Sequence, residues 1–235
     1  AGWIVCRIAA EGPIAPEIRI VAHLADLFDR PDAPTLAAID MPIGLPEAIG
    51  PGGRGPERLI RRLLGERQSS VFSIPARAAI FAGEGLDDRA GYAATCAAAL
   101  ATSDPPKKVS KQAFALFPKI REIDRLLRGP TPPRLFEGHP EVAFAMLNGG
   151  HAMTQPKKAK NSETRPGLDE RRALLVRLGF DPETLARPPR GAAPDDLLDA
   201  CVLALVARRI ARGEAVSFPD PPLADAHGLP IAIWA

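Results

Sequence analysis

The sequence has few cysteines, few aromatic residues and no long apolar run. Its three cysteines, Cys6, Cys96 and Cys201, are widely spaced and form no C-x-x-C pair. This argues against a disulfide framework and a zinc site and is typical of a reducing, cytoplasmic compartment. No apolar segment approaches the roughly 20 residues of a membrane-spanning helix, and no signal peptide is visible. We therefore expect no membrane association.

Aromatic residues make up 5% of the chain, which is too few to suggest an exposed stacking platform for single-stranded nucleic acid. The net charge of +2 does not by itself indicate a nucleic-acid partner. Any basic binding surface must therefore be local.

Apolar patterning predicts a mixed α/β fold in a single domain, residues 1–235. Strands are predicted at 3–8, 17–24, within 35–45 and at 134–138, and helices at 25–28, 56–65, 89–101, 110–128, 141–147, 168–178 and 194–212. We interpret residues 46–133 as a mainly helical insertion or cap. Residues 149–166 are polar and rich in lysine, which predicts a loop, and two short apolar segments end the chain.

Two acidic residues follow predicted strands. Asp40 ends the strand that precedes Met41-Pro42, and Glu137 ends the strand before a Gly-His-Pro turn. Ligands of open α/β sheets gather at the carboxyl ends of strands, although such acids also stabilise turns. His139 could act as a base or ligand or could be a turn residue, and Glu141 suits the start of a helix.

The helix predicted at 194–212 carries the most informative acids. Pro194 and Asp195 suit its first turn, whereas Asp196 and Asp199 are spaced i, i+3 and share one face. The residues after Asp199 are apolar all round, so this acid enters near the core without a basic neighbour in sequence. A divalent cation would relieve the repulsion between the two carboxylates, which favours a metal site.

Basic residues form three local groups. Arg54, Arg58, Arg61 and Arg62 fall mostly on one side of a helix. A second group is Lys107, Lys108 and Lys111, and a third surrounds Lys157 and Lys158. Each could be a solvated face, but together they favour contacts with phosphate. We predict substrate contacts from Arg54, Arg77, Lys111, Lys157, Lys158 and His139.

Five segments resemble, in order, the predicted RNase H-like nucleases grouped as domain of unknown function 429. They are IDMPIGL, RGPERLIRRLLGERQSSVF with IPAR, SKQAFALFPKIREID, FEGHPEVAFAML and DDLLDA. The resemblance implies an RNase H-like mixed sheet flanked by helices, with the helical insertion between the fourth and fifth strands. It also implies a carboxylate site formed by Asp40, Glu137, Asp196 and Asp199.

The resemblance has one departure. The family usually begins with a strand that ends in an aspartate, shortly before the Gly-Trp matched by Gly2-Trp3, and this acid is absent here. We expect that segment to lie upstream.

The leading hypothesis is a nuclease that hydrolyses phosphodiester bonds of DNA or RNA with two Mg²⁺ or Mn²⁺ ions held by these carboxylates. One alternative is a non-catalytic nucleic-acid-binding or regulatory protein that keeps the fold. Another is a phosphotransferase or ATPase, although no typical Gly-rich phosphate loop is present.

Overall fold

The computed structural model describes residues 2–157 and 165–235 and confirms a mixed α/β protein with small sheets flanked by helices. The strands are β1 (Trp3–Arg7), β2 (Glu17–Val21), β3 (Ala37–Ile39), β4 (Leu135–Glu137), β5 (Ser217–Ala224) and β6 (Pro230–Trp234). The helices are α1 (Ala25–Phe28), α2 (Gly55–Leu64), α3 (Arg77–Phe81), α4 (Asp88–Ala101), α5 (Lys111–Phe114), α6 (Phe117–Leu127), α7 (Pro140–Leu147), α8 (Pro166–Arg177), α9 (Pro182–Ala186) and α10 (Pro194–Arg212). A 3₁₀ helix, Gly65–Ser70, follows α2.

The strands pair in three two-stranded units. β1 and β2 form an antiparallel hairpin, with Trp3 opposite Val21 and Arg7 opposite Glu17. β3 and β4 are parallel, and helices α2 to α6 lie between them in the chain. β5 and β6 are antiparallel, and a bridge between Gly138 and Trp234 joins β6 to the end of β4.

Helix α10 organises the core. It has the bounds predicted from the sequence, because Pro194 supplies the preset φ of a first helical turn and Gly213 ends the helix in the left-handed conformation, with φ of 71°. Most of its apolar residues are buried, and Leu198 and Val206 are fully so. The helix packs against β1, β3, α7 and α8 and so connects the hairpin with the parallel pair.

Several segments differ from the sequence-based prediction. The single helix expected at 110–128 is divided into α5 and α6, because Pro118 suits the first turn of a helix but not its interior. The strand expected within 35–45 is limited to β3. Helices α3 and α9 were not predicted, and residues 158–164 of the predicted loop lie outside the described residues. None of the described helices is long and apolar enough to cross a membrane.

Candidate functional site

The carboxyl ends of β3 and β4 open onto a cavity of about 260 Å³. Its walls are formed by the loop after β3, the end of the 3₁₀ helix, the start of α7 and Lys157. Its charged and polar lining includes Asp40, Arg54, Glu57, Glu137, His139, Glu141 and Lys157. These residues divide into two clusters with different partners and different access to water.

The closed cluster consists of Arg54, Glu57 and Glu137, which are all buried. Arg54 Nη2 lies 2.5 Å from Glu137 Oε1, and Arg54 Nε donates to Glu57 Oε1 at 2.7 Å. The second Glu137 oxygen accepts from the backbone N–H of Ile43 at 2.7 Å. Glu137, which the sequence analysis included among the metal ligands, therefore has both carboxylate oxygens occupied by protein donors.

The closed cluster holds the loop after β3 in place. Arg54 also donates to the carbonyl oxygens of Ile43 and Gly44. Gly44 has a φ of 72°, and a Cβ atom there would lie 2.6 Å from the carbonyl oxygen of Pro230. Only glycine fits this close approach. The IDMPIGL segment is thus explained by a tightly packed loop that begins at Asp40.

The open cluster consists of Asp40, Glu141, Lys157 and Asp199. Lys157 Nζ lies 2.5 Å from Asp199 Oδ1 and 3.3 Å from Glu141 Oε1. About a fifth of the Lys157 and Asp199 side chains remains exposed. The structure thus brings Glu141 and Asp199 to one lysine, and the charge of this lysine also acts on Asp40.

Arg171 of α8 positions Glu141. Its Nε and Nη2 atoms lie 2.9 Å and 2.5 Å from the two carboxylate oxygens, and its side chain is buried. Burial opposes the charge on Glu141, but the Arg171 hydrogen bonds and the Lys157 charge lower the pKa of this carboxyl below its ordinary value. Glu141 is therefore ionised and contributes negative charge to the site.

In contrast to Glu141, Asp40 and Asp199 have pKa values above the ordinary aspartate value. Burial raises the pKa of Asp199 to about 7, and Lys157 only partly offsets this effect. The pKa of Asp40 is raised to about 6, chiefly because the surrounding protein limits hydration of the carboxyl, even though part of its surface is exposed. The negative charge of Glu141 adds to the effect on both. Two carboxyls that titrate near neutrality suit proton transfer.

The remaining predicted residues lie in other positions. Asp196 is exposed and accepts the backbone N–H of Ala193 at 3.0 Å, so this acid stabilises the start of α10. Arg77 is paired with Asp124 and Asp225 at 2.7 Å each. Lys111 is exposed, with its Nζ 5.6 Å from the centre of the Tyr92 ring. Arg54 is buried in the closed cluster, and Lys158 lies outside the described residues.

His139 occupies the cavity wall between the two clusters. Its Nδ1 atom is buried and has no hydrogen-bond partner among the described residues. Burial and the nearby Lys157 charge lower the pKa of His139 to about 4, so the imidazole is neutral near pH 7. The imidazole is therefore neutral in the cavity wall, and its unpaired nitrogen is shielded from water.

The residues that the structure describes contain no group of three or more histidine, cysteine, aspartate or glutamate side chains that could hold a metal ion. Magnesium is, however, often held by one or two carboxylates together with substrate phosphate and water. Asp40 and Asp199 fit that smaller requirement in number, because Asp199 contacts Lys157 Nζ and Asp40 lies near enough for the same lysine charge to affect its pKa.

Sequence reasoning missed Arg171. Its only sequence signal is its place in a helix with several other charged residues, which is also typical of a solvated face. Its importance depends on contact with Glu141, which lies 30 residues earlier in the chain.

A comparison with family models identifies the chain. Residues 1–224 match the family described as "Protein of unknown function (DUF429)". The chain belongs to this family. A search of curated proteins and a search of solved structures find no match. The family description does not assign an activity.

Proposed function

We propose that this DUF429 protein is a phosphodiester hydrolase that acts on nucleic acid, and that its fold is RNase H-like. The open cluster carries the proposal: two carboxyls with raised pKa values and one lysine meet at the carboxyl end of parallel strand β3. An antiparallel hairpin, a parallel pair and a long helix packed against both are compatible with the proposed fold. The helical insertion at 46–133 is part of the same proposal.

The residues of the open cluster suit the charges of this reaction. A phosphodiester is anionic, and the Lys157 ammonium group can stabilise the additional negative charge of the transition state. Asp40 or Asp199 in its ionised form can accept the proton of the attacking water, because each has a pKa close to neutrality. Glu141 and Arg171 hold Lys157 beside these carboxyls.

We propose Mg²⁺ or Mn²⁺ as the cofactor, held by Asp40 and Asp199 and completed by substrate phosphate. Such an ion neutralises phosphate charge and lowers the pKa of a bound water. Glu137 and Asp196 are not ligands in this proposal, because Glu137 is bound in the closed cluster and Asp196 stabilises the start of α10. The neutral His139 ring would contact substrate from its place in the cavity wall.

One observation favours a second candidate, a non-catalytic nucleic-acid-binding protein. Lys157 already neutralises the acidic residues of the open cluster, and the described residues contain no complete metal-binding group. In this case the cluster would be a stable ion-pair network beside the binding surface.

The deciding experiment measures cleavage of fluorescently labelled DNA, RNA and hybrid duplexes with Mg²⁺, Mn²⁺ or a chelator. We expect metal-dependent cleavage that Asp40→Asn and Asp199→Asn each reduce by at least about 100-fold, as for loss of a group with a direct role in proton transfer. Asp88→Asn, at an exposed position in the first turn of α4, is the matched control and should retain activity.

Calorimetric titration with Mn²⁺ provides a second readout. Binding that is lost in Asp199→Asn but kept in Asp88→Asn would support the metal assignment. Retention of nucleic-acid binding without cleavage or metal binding would instead support the non-catalytic candidate. Cleavage that is unchanged in Asp199→Asn would refute the proposed site.

A further inference from the structure

Phe72 is the only exposed aromatic residue of the chain, all of whose aromatic residues lie in the described part. It is 42% exposed, whereas every other aromatic residue is buried or half-buried. Among the described residues, no second ring and no cationic side chain stacks on it. A single exposed apolar residue is ordinary on a protein surface. Its position and its surroundings therefore decide whether it has a role.

Phe72 lies at the cavity that contains the open cluster. It lines the same cavity of about 260 Å³ as three members of that cluster, Asp40, Glu141 and Lys157. A nucleotide combines an anionic phosphate with an aromatic base. A cavity that combines a cationic side chain with an accessible ring therefore offers a partner for each part.

The backbone on both sides of Phe72 is anchored. Arg61 Nη2 donates to the carbonyl oxygen of Val71 at 3.1 Å and to Ser73 Oγ at 2.9 Å. Val71 and Ile74 are buried in two different apolar clusters. Val71 has an extended backbone, with φ of −93° and ψ of 105°, and neighbouring side chains of an extended chain point to opposite sides. The inward Val71 side chain therefore keeps the Phe72 ring outward.

The size of the cavity limits what the ring can contact. At about 260 Å³, it is smaller than the roughly 300–1,000 Å³ of typical ligand pockets. It has room for one base rather than for a stacked pair. Bases within a duplex are covered on both faces by their neighbours, so Phe72 can reach a base only if that base is unpaired. One ring also agrees with the low aromatic content, which argues against a platform for several bases.

We propose that Phe72 stacks on one unpaired base beside the phosphate that the open cluster binds. The substrate class is therefore single-stranded nucleic acid, or a strand with an unpaired nucleotide at the site. Stacking tolerates any base, because every base has a π face, and we expect little sequence preference. The inference rests on the proposed nucleic-acid substrate and applies equally to the hydrolase and to the non-catalytic candidate.

The test compares the binding of short, fluorescently labelled single strands of DNA and RNA with the binding of the corresponding duplexes. Fluorescence anisotropy with Mg²⁺ and with a chelator gives the affinities, so the measurement does not depend on cleavage. We expect single strands to bind at least fivefold more tightly than duplexes. Phe72→Ala should weaken single-strand binding by about 5- to 100-fold and leave duplex binding unchanged. Leu86→Ala, which removes an exposed apolar side chain outside the cavity, is the control.

Two further variants separate stacking from apolar contact. Phe72→Trp keeps an aromatic ring and should keep the affinity for single strands. Its emission, corrected for that of the wild-type protein, should be quenched when a single strand binds. Phe72→Leu keeps an apolar side chain but loses the π face, so it should bind as weakly as Phe72→Ala.

Four outcomes would overturn the inference. They are equal binding of single strands and duplexes, unchanged binding by Phe72→Ala, wild-type affinity in Phe72→Leu, and no binding of any oligonucleotide. Unchanged binding by Phe72→Ala, with cleavage that Asp40→Asn abolishes, would refute the stacking and keep the proposed hydrolysis. Stacking without any cleavage would refute the hydrolysis and keep the inference.

Discussion

The closed and open clusters lie at the ends of adjacent parallel strands, and each combines carboxyl groups with one cationic side chain. They differ in how fully protein donors satisfy the carboxyl groups and in how much of each side chain is exposed. In the closed cluster, Arg54 donates to two glutamates and two backbone carbonyls, and all its side chains are buried. In the open cluster, a partly exposed lysine contacts Asp199 and Glu141 and lies near Asp40. Burial raises the pKa of Glu137 in the closed cluster to about 7, as it raises the pKa of Asp199, so the two clusters differ in access to water and not in the direction of these shifts.

The comparison separates acids that stabilise the fold from acids that remain available for chemistry. A carboxylate with both oxygens occupied by protein donors, such as Glu137, has little capacity for a substrate or an ion. A carboxyl with a raised pKa and some exposure can exchange protons and accept a new partner. Strand-end position alone does not distinguish the two cases. Four substitutions or conditions test this difference, beginning with the largest expected effect.

Arg54→Met should break the closed cluster. It leaves Glu57 and Glu137 buried without their cation, and removing one member of a buried ion pair costs about 3–5 kcal/mol of unfolding free energy. Urea denaturation measures the loss. Arg58→Met, at an exposed position of the same helix, is the control and should change stability by less than about 0.5 kcal/mol. Equal effects of the two variants would contradict the structural role of Arg54.

Gly44→Ala should disturb the loop that the closed cluster holds. The left-handed backbone and the contact with Pro230 together predict a loss of about 2–4 kcal/mol. Gly12→Ala tests the backbone effect alone, since Gly12 has a φ of 81° and open space around its Cβ position. Thermal unfolding of the two variants compares them directly. If they lose the same stability, the close approach to Pro230 has no measurable cost.

The pH dependence of stability should reveal the open cluster. The folded pKa values of Asp40 and Asp199, about 6 and about 7, exceed the ordinary aspartate value of 3.8. Between about pH 4 and 7 the folded state therefore binds more protons than the unfolded state, and these two groups lower stability as pH rises.

Asp40→Asn/Asp199→Asn should remove this contribution. Relative to the double variant, the wild-type protein should lose roughly 1–2 kcal/mol between pH 4 and 7, a value reduced for the exposure of Asp40. Urea denaturation at several pH values measures the unfolding free energies of both proteins. Groups other than Asp40 and Asp199 titrate in both, so their effect cancels in the difference. A wild-type protein that gained stability over this range relative to the variant would show that the pKa values are lowered.

Lys157→Met should have the smallest effect on stability, within about 1 kcal/mol, because Lys157 and Asp199 are partly exposed and Asp199 can take up a proton. It should nevertheless raise the pKa of Asp199 above about 7, since Lys157 lowers it in the wild-type protein. Carboxyl ¹³C NMR titration measures this shift, with Lys111→Met as control. A stability loss as large as that of Arg54→Met would mean that both clusters are structural.

The sequence alone was sufficient for features with local causes. The bounds of α10 follow from Pro194, an apolar run and Gly213, and the positions of Asp40 and Glu137 at strand ends follow from short apolar segments. The division between α5 and α6 could have been predicted from Pro118, because its steric effect depends only on its immediate neighbours.

Only the tertiary structure decided which acid meets which base. Arg54 and Glu137 are 83 positions apart, and Lys157 and Asp199 are 42 apart. No sequence periodicity encodes such pairs, because they depend on how separate strands and helices pack. The limited hydration that raises the pKa values of Asp40 and Asp199 also arises from packing. The sequence therefore determined which acids could form a site, and long-range contacts determined which of them remain available for one.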